Sequence, residues 1–173
     1  MKKSGKAYSL EKLRRGGFKV PAFFICDKNW SEKSVLEKIE GTLPRTQYFA
    51  VRSSAENEDS KEKSFAGHFY TGIGILKEDV FGEITKVYQS FDGMPGSVII
   101  QDFIQSDVAG VVFTEVSKNI VVINATRGLC QPVVSGEACD EYLCSKDGAL
   151  LKKTISKEKT VAFFVAGKVI SDK

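Results

Sequence analysis

A chain of 173 residues, 42% hydrophobic and 27% charged, suits one soluble domain, or one domain of two lobes, and can bury a core without disulfides. Its net charge of +3 is too small, and its basic residues too scattered, for a nucleic-acid binder. Four cysteines with no C-x-x-C pair, and a single histidine, His68, argue against a zinc site. The apolar runs are too short to span a membrane, and the N-terminus has no signal-peptide pattern, so the reading is a reducing, cytoplasmic protein.

Residues 8–15 (YSLEKLRR) read as a helix with Tyr8, Leu10 and Leu13 near one face, ended by Gly16-Gly17. Residues 20–26 (VPAFFIC) read as a buried strand in which Cys26 acts as a small hydrophobe. Ser34 with Glu37 suggests a capping box for a helix striped by Val35, Leu36 and Ile39 and stopped by Gly41. Residues 47–52 form the next strand. Residues 55–63 (AENEDSKEK) have no apolar residue after Ala55 and form an exposed loop. Residues 68–76 alternate as a strand. Over 77–91, Val80, Ile84, Val87 and Phe91 recur at helical spacing. Residues 93–96 are a turn.

From residue 97 the character changes. Segments 97–104, 108–115 and 120–125 are β-branched and separated by short polar turns. Asp147-Gly148, between strands 140–145 and 150–156, is the strongest hairpin signal in the chain. Residues 157–173 read as a strand or a frayed tail. Residues 1–95 thus mix helix and strand, and 96–173 are mostly strand. The fold class is α+β with two lobes.

One residue stands out chemically. Arg52 ends an apolar strand, and its guanidinium presents donors in a fork that suits phosphate oxygens. Ser53 and Ser54 add hydroxyls. A small-residue loop follows at Ser64, Phe65, Ala66 and Gly67, where backbone N–H groups can approach a ligand closely. The alternative is a structural ion pair of Arg52 with Glu58 or Asp59.

Several ordered blocks weigh on that choice. Ser4-Gly-Lys-Ala-Tyr-Ser-Leu10, Gly17-Phe-Lys-Val-Pro21, Ala50-Val-Arg-Ser-Ser-Ala55, Glu58-Asp59, Ser64-Phe-Ala-Gly67 and Thr71 follow one another. Val98-Ile-Ile-Gln101, Ala109-Gly-Val-Val-Phe-Thr114, Gly128-Leu129 and Val134-Ser-Gly136 come after them. This set resembles the N-terminal ATP-binding domain of the family of phosphoenolpyruvate synthase, pyruvate phosphate dikinase and rifampicin phosphotransferase. The resemblance covers most of residues 4–145 and implies an ATP-grasp-like fold, here a partial one.

It also implies roles. Lys6 and Arg52 would contact ATP phosphates, the loop of Ser64, Phe65, Ala66 and Gly67 would lie over them, and Thr71 would sit near them. Residues 100–104, with Gln101 and Phe103, would form the adenine hinge, and Mg²⁺ would accompany ATP. Lys6 as a surface lysine and Thr71 as a strand-packing residue are the bland alternatives.

The sequence also departs from the family. Gly128-Leu129-Cys130-Gln131 replaces G-L-G-E, no D-x-E-W-like region with its acidic metal ligand is found, and no residue matches the phosphorylated histidine. Two functional readings follow. One is the ATP-binding portion of a phosphotransferase, a fragment or a subunit without catalytic residues of its own, with a separate chain as a candidate partner to carry the rest of the ATP site and a phosphohistidine domain. The other is a non-catalytic nucleotide- or protein-binding regulatory module.

Overall fold

A computed structural model describes residues 5–55, 69–157, 161–165 and 168–172. The chain divides into two compact units, Met1–Ile104 and Gln105–Lys173.

The first unit runs α1 (Lys6–Arg15), β1 (Phe23–Cys26), α2 (Glu32–Thr42), β2 (Phe49–Ala55), β3 (Thr71–Ile75), a 3₁₀ turn (Lys77–Asp79), α3 (Val80–Ser90) and β4 (Gly96–Asp102). Its four strands form an antiparallel sheet in the order β1-β4-β2-β3. The division between units therefore falls later than the expected boundary at residue 95. β4 reads as the start of the β-rich half, yet it pairs with both β1 and β2 and lies inside the first sheet.

Strand alternation sorts the side chains of this sheet onto two faces. On one face Phe24, Cys26, Phe49, Val51, Val98 and Ile100 pack with Val35 and Ile39 of α2 and Val80, Ile84 and Val87 of α3. On the other, Phe23 and Ile99 pack with Ala7 of α1, with Leu10, Val20 and Ile25 at the margin. The buried stripe of α1 thus includes Ala7 and Leu10, not the expected Tyr8 and Leu13, which are exposed.

Ser31, rather than Ser34, caps α2: its hydroxyl accepts from the Ser34 N–H at 3.2 Å. Gly41 does not stop that helix, which runs on to Thr42. Cys26 is a core residue, as expected. Burial first, and the nearby Asp27 second, push its thiol up to about 11, so it stays protonated at neutral pH.

The second unit holds β5 (Val108–Ser117), β6 (Ile120–Arg127), a short helix α4 (Gln131–Val134), β7 (Asp140–Ser145), β8 (Leu150–Thr154), β9 (Val161–Val165) and β10 (Lys168–Asp172). Strands β5 to β8 form an antiparallel meander in chain order, and β9 pairs with β10. The β7–β8 turn holds Gly148 at φ +96°, as the Asp147-Gly148 signal predicts.

The two edges of the meander differ. β8 carries Lys152 and Lys153, whereas β5 exposes Val108, Val112, Phe113 and Val116 with Glu115 as its single charge. Gly128, at φ +74°, forms a bridge with Ala162, and its N–H donates to the Asp107 carbonyl at 2.8 Å.

Candidate functional site

Ala50, Arg52 and Ser54 of β2 face α1, while Val51, Ser53 and Ala55 face the α2–α3 core. Arg52 stands opposite Ile99 of β4 and Thr71 of β3. Its Nη1 donates to Oε1 of Gln101 at 3.4 Å. That contact is long, so it orients the guanidinium more than it holds it. Gln101 is itself buried, opposite Ala50 and Phe23. Arg52, Thr71 and Gln101 therefore share one face of the first sheet. Glu58 and Asp59, the ion-pair partners of the alternative reading, lie outside the described residues, as do Ser64, Phe65, Ala66, Gly67 and His68.

Lys6 is the first residue of α1 and is half-buried. The start of α1 rests on β2 through a bond from the Ala7 N–H to the Ser54 hydroxyl at 2.9 Å. The lysine and the arginine thus belong to the same side of the sheet. The start of β3 is also held. The Tyr70 N–H donates to Ser90 Oγ at 3.1 Å, and the Tyr70 hydroxyl donates to Glu83 Oε2 at 2.7 Å. That second bond raises the Tyr70 pKa. Glu83 is a buried carboxylate that also takes Lys86 Nζ at 2.6 Å. Gly72 makes room for it, since a Cβ there would lie 2.6 Å from Glu83 Oε2.

Residues 100–104, the expected hinge, are partly taken up by the sheet. Ile100 is fully buried, and Ile100 and Gln101 both sit at paired positions between β1 and β2. The Asp102 N–H donates to the Ala22 carbonyl at 2.9 Å and the Phe103 N–H to the Tyr48 carbonyl at 3.0 Å. Phe103 lies just past the end of β4 and is half-buried. The N–H groups of Asp102 and Phe103 are thus both engaged within the protein.

The two serines after Arg52 separate. Ser53 is 1% exposed on the core face, and its hydroxyl has no hydrogen-bond partner among the described residues. It cannot serve a phosphate on the face of Arg52. Period-two alternation in 49–55 is the signal that would have separated them. Ser53→Ala removes a buried, unsatisfied hydroxyl and is expected to leave stability unchanged or raise it by up to about 1 kcal/mol. A urea titration of the variant checks this.

Among the described residues, no three His, Cys, Asp or Glu side chains come together in a way that could hold a metal ion. Among the same residues, no helix is long and apolar enough to cross a membrane.

Residues 31–93, which contain Arg52 and Thr71, match the family model of the pyruvate phosphate dikinase AMP/ATP-binding domain. A probable phosphoenolpyruvate synthase of Pyrococcus horikoshii is 34% identical over 136 residues, covering 66% of this chain. This chain is a relative of the phosphoenolpyruvate synthases. An uncharacterized phosphotransferase of Bacillus subtilis is 30% identical over 208 residues, 89% of this chain and 25% of that protein. A rifampicin phosphotransferase of Bacillus cereus is 28% identical over 136 residues, 66% of this chain and 16% of that protein. The chain spans 17% of the length of the Pyrococcus synthase. Lys6, Gln101 and Phe103 lie outside the stretch that the family model matches.

Proposed function

We propose that this chain is the ATP-binding portion of a phosphoenolpyruvate-synthase-like phosphotransferase, with an ATP-grasp-like fold. The observation that carries the reading is the meeting of Arg52, Thr71 and Gln101 on the α1 face of the first sheet, Arg52 and Thr71 lying in the family-matched stretch. A guanidinium set beside Ile99 and Ala50, and oriented by a buried amide, suits a polyphosphate better than a solvated surface arginine does. In this reading Lys6 adds a second cation, Thr71 a hydroxyl, and the loop of Ser64, Phe65, Ala66 and Gly67 its backbone N–H groups. Phe103 stands at the adenine end.

The chain's own residues bind and orient ATP and neutralise its charge. None of the residues of this reading is a nucleophile, so transfer needs the rest of the site and a phosphohistidine domain in addition to this stretch. Mg²⁺, bound to the ATP phosphates, would supply further charge neutralisation. The setting is cytoplasmic.

One observation favours a second reading, a non-catalytic nucleotide- or protein-binding regulatory module. Cys130-Gln131 stands in place of the family's G-E. Calorimetry with ATP, with and without Mg²⁺, separates the two. The first reading expects binding that Mg²⁺ strengthens, with no phosphoryl transfer by this chain alone. Binding indifferent to Mg²⁺ favours the module, and no binding at all removes ATP from both.

A further inference from the structure

The first turn of an α-helix leaves backbone N–H groups without intrahelical partners, and a side chain at the N-cap usually satisfies one of them. At the start of α1 the N-cap is Gly5, which has no side chain to offer. The hydroxyl of Ser54, 47 residues away on β2, takes the Ala7 N–H instead. Gly5 is itself fitted to that strand. It adopts φ +89°, and a Cβ there would lie 2.8 Å from the Ala55 carbonyl oxygen and 3.0 Å from Ser54 Oγ. Lys6 is the residue between these two anchored neighbours.

Arg52 lies two residues before Ser54 on the same face of the same strand, about 7 Å away along it. The two cations of the candidate site are therefore set from one strand, Arg52 directly and Lys6 through a single hydroxyl. We propose that Ser54 is a positioning residue for Lys6 in ATP binding: its hydroxyl fixes the start of α1 on β2 and so holds the lysine at the phosphate end of the site. The inference rests on the proposed ATP site. A lysine brings a long, mobile stem, and fixing its backbone lowers the entropy that binding must remove.

A double-mutant cycle tests it. ATP affinity is measured by calorimetry on the wild type, Ser54→Ala, Lys6→Met and the double variant, with thermal melting alongside. Ser54→Ala is expected to weaken ATP binding about fivefold, the scale of a lost helix cap. In the Lys6→Met background the same change should cost nothing more. Ser54→Thr, which keeps the hydroxyl, should retain most of the affinity. Should Ser54→Ala fold poorly, Ser54→Cys keeps the volume and loses the good acceptor, and it carries the same expectation.

Equal losses with and without Lys6, or wild-type affinity in Ser54→Ala, overturn the positioning role while leaving the ATP site intact. A wild type whose ATP affinity depends on neither Lys6 nor Arg52 overturns the ATP site itself, and the positioning role with it.

Discussion

Replacing Arg52 with alanine is expected to weaken ATP binding by about tenfold to a hundredfold, the range for losing charge-assisted hydrogen bonds to a phosphate. The expectation follows from where the arginine sits. Arg52 is in the middle of β2, flanked by the pairing partners Ile99 and Thr71, and its fork touches the buried amide of Gln101. Such a guanidinium loses little freedom when a phosphate arrives. Arg52→Lys should recover only part of the affinity, because it restores the charge but not the planar fork. Thermal melting of the same variants supplies the control. A variant that melts well below the wild type and keeps its ATP affinity would identify Arg52 as a structural residue and end the phosphate assignment.

The largest stability effect is expected at Gly128. Its φ of +74° is a conformation that costs an alanine roughly 1–2 kcal/mol. Sterics add to this, because a Cβ at Gly128 would collide with the carbonyl oxygen of Ala162 and press on the ring of Phe163. That carbonyl also accepts the Leu129 N–H, and Ser106 Oγ donates to the Gly128 carbonyl at 2.7 Å. Moving this backbone breaks several bonds at once. Gly128→Ala is therefore expected to destabilise the second unit by roughly 2 kcal/mol or more. Trp30, the only tryptophan, lies in the first unit, so its emission follows that unit while circular dichroism follows the strands of both. The loss should appear in the dichroism. Unchanged melting by both signals would mean that the Gly128–Ala162 bridge contributes nothing.

Local signals in the sequence located the elements well. The stripe Val80, Ile84 and Val87 is the buried face of α3, and Asp147-Gly148 turns β7 into β8. These depend on neighbours a few residues apart, which a sequence displays directly. Pairing over long distances was not legible. Nothing in residues 96–102 says that the strand inserts between β1 and β2, because β-branched content suits either sheet.

The same limit hid the site's supports. Gln101 meets Arg52 only through the β2–β4 register, and Ser54 caps a helix that begins 48 residues before it. The alternation of Ser53 and Ser54 was legible in principle, yet which serine faced the arginine's partners depended on knowing that the strand is buried on both sides. The motif around Arg52 pointed to a phosphate, and the register provides the company it keeps.

The unequal edges of the second sheet bear on how this protein must be handled. Along the ten residues of β5, alternate ones turn their hydrogen-bonding groups outward with one carboxylate to discourage a neighbour, and β5 has no strand partner on that side among the described residues. Such an edge is a template for self-association, and added salt weakens the one repulsion that opposes it. At the concentrations calorimetry uses, turbidity should rise with protein and with ionic strength. Lysines on β8 protect the far edge, so stacking through β5 ends at pairs rather than propagating into fibres.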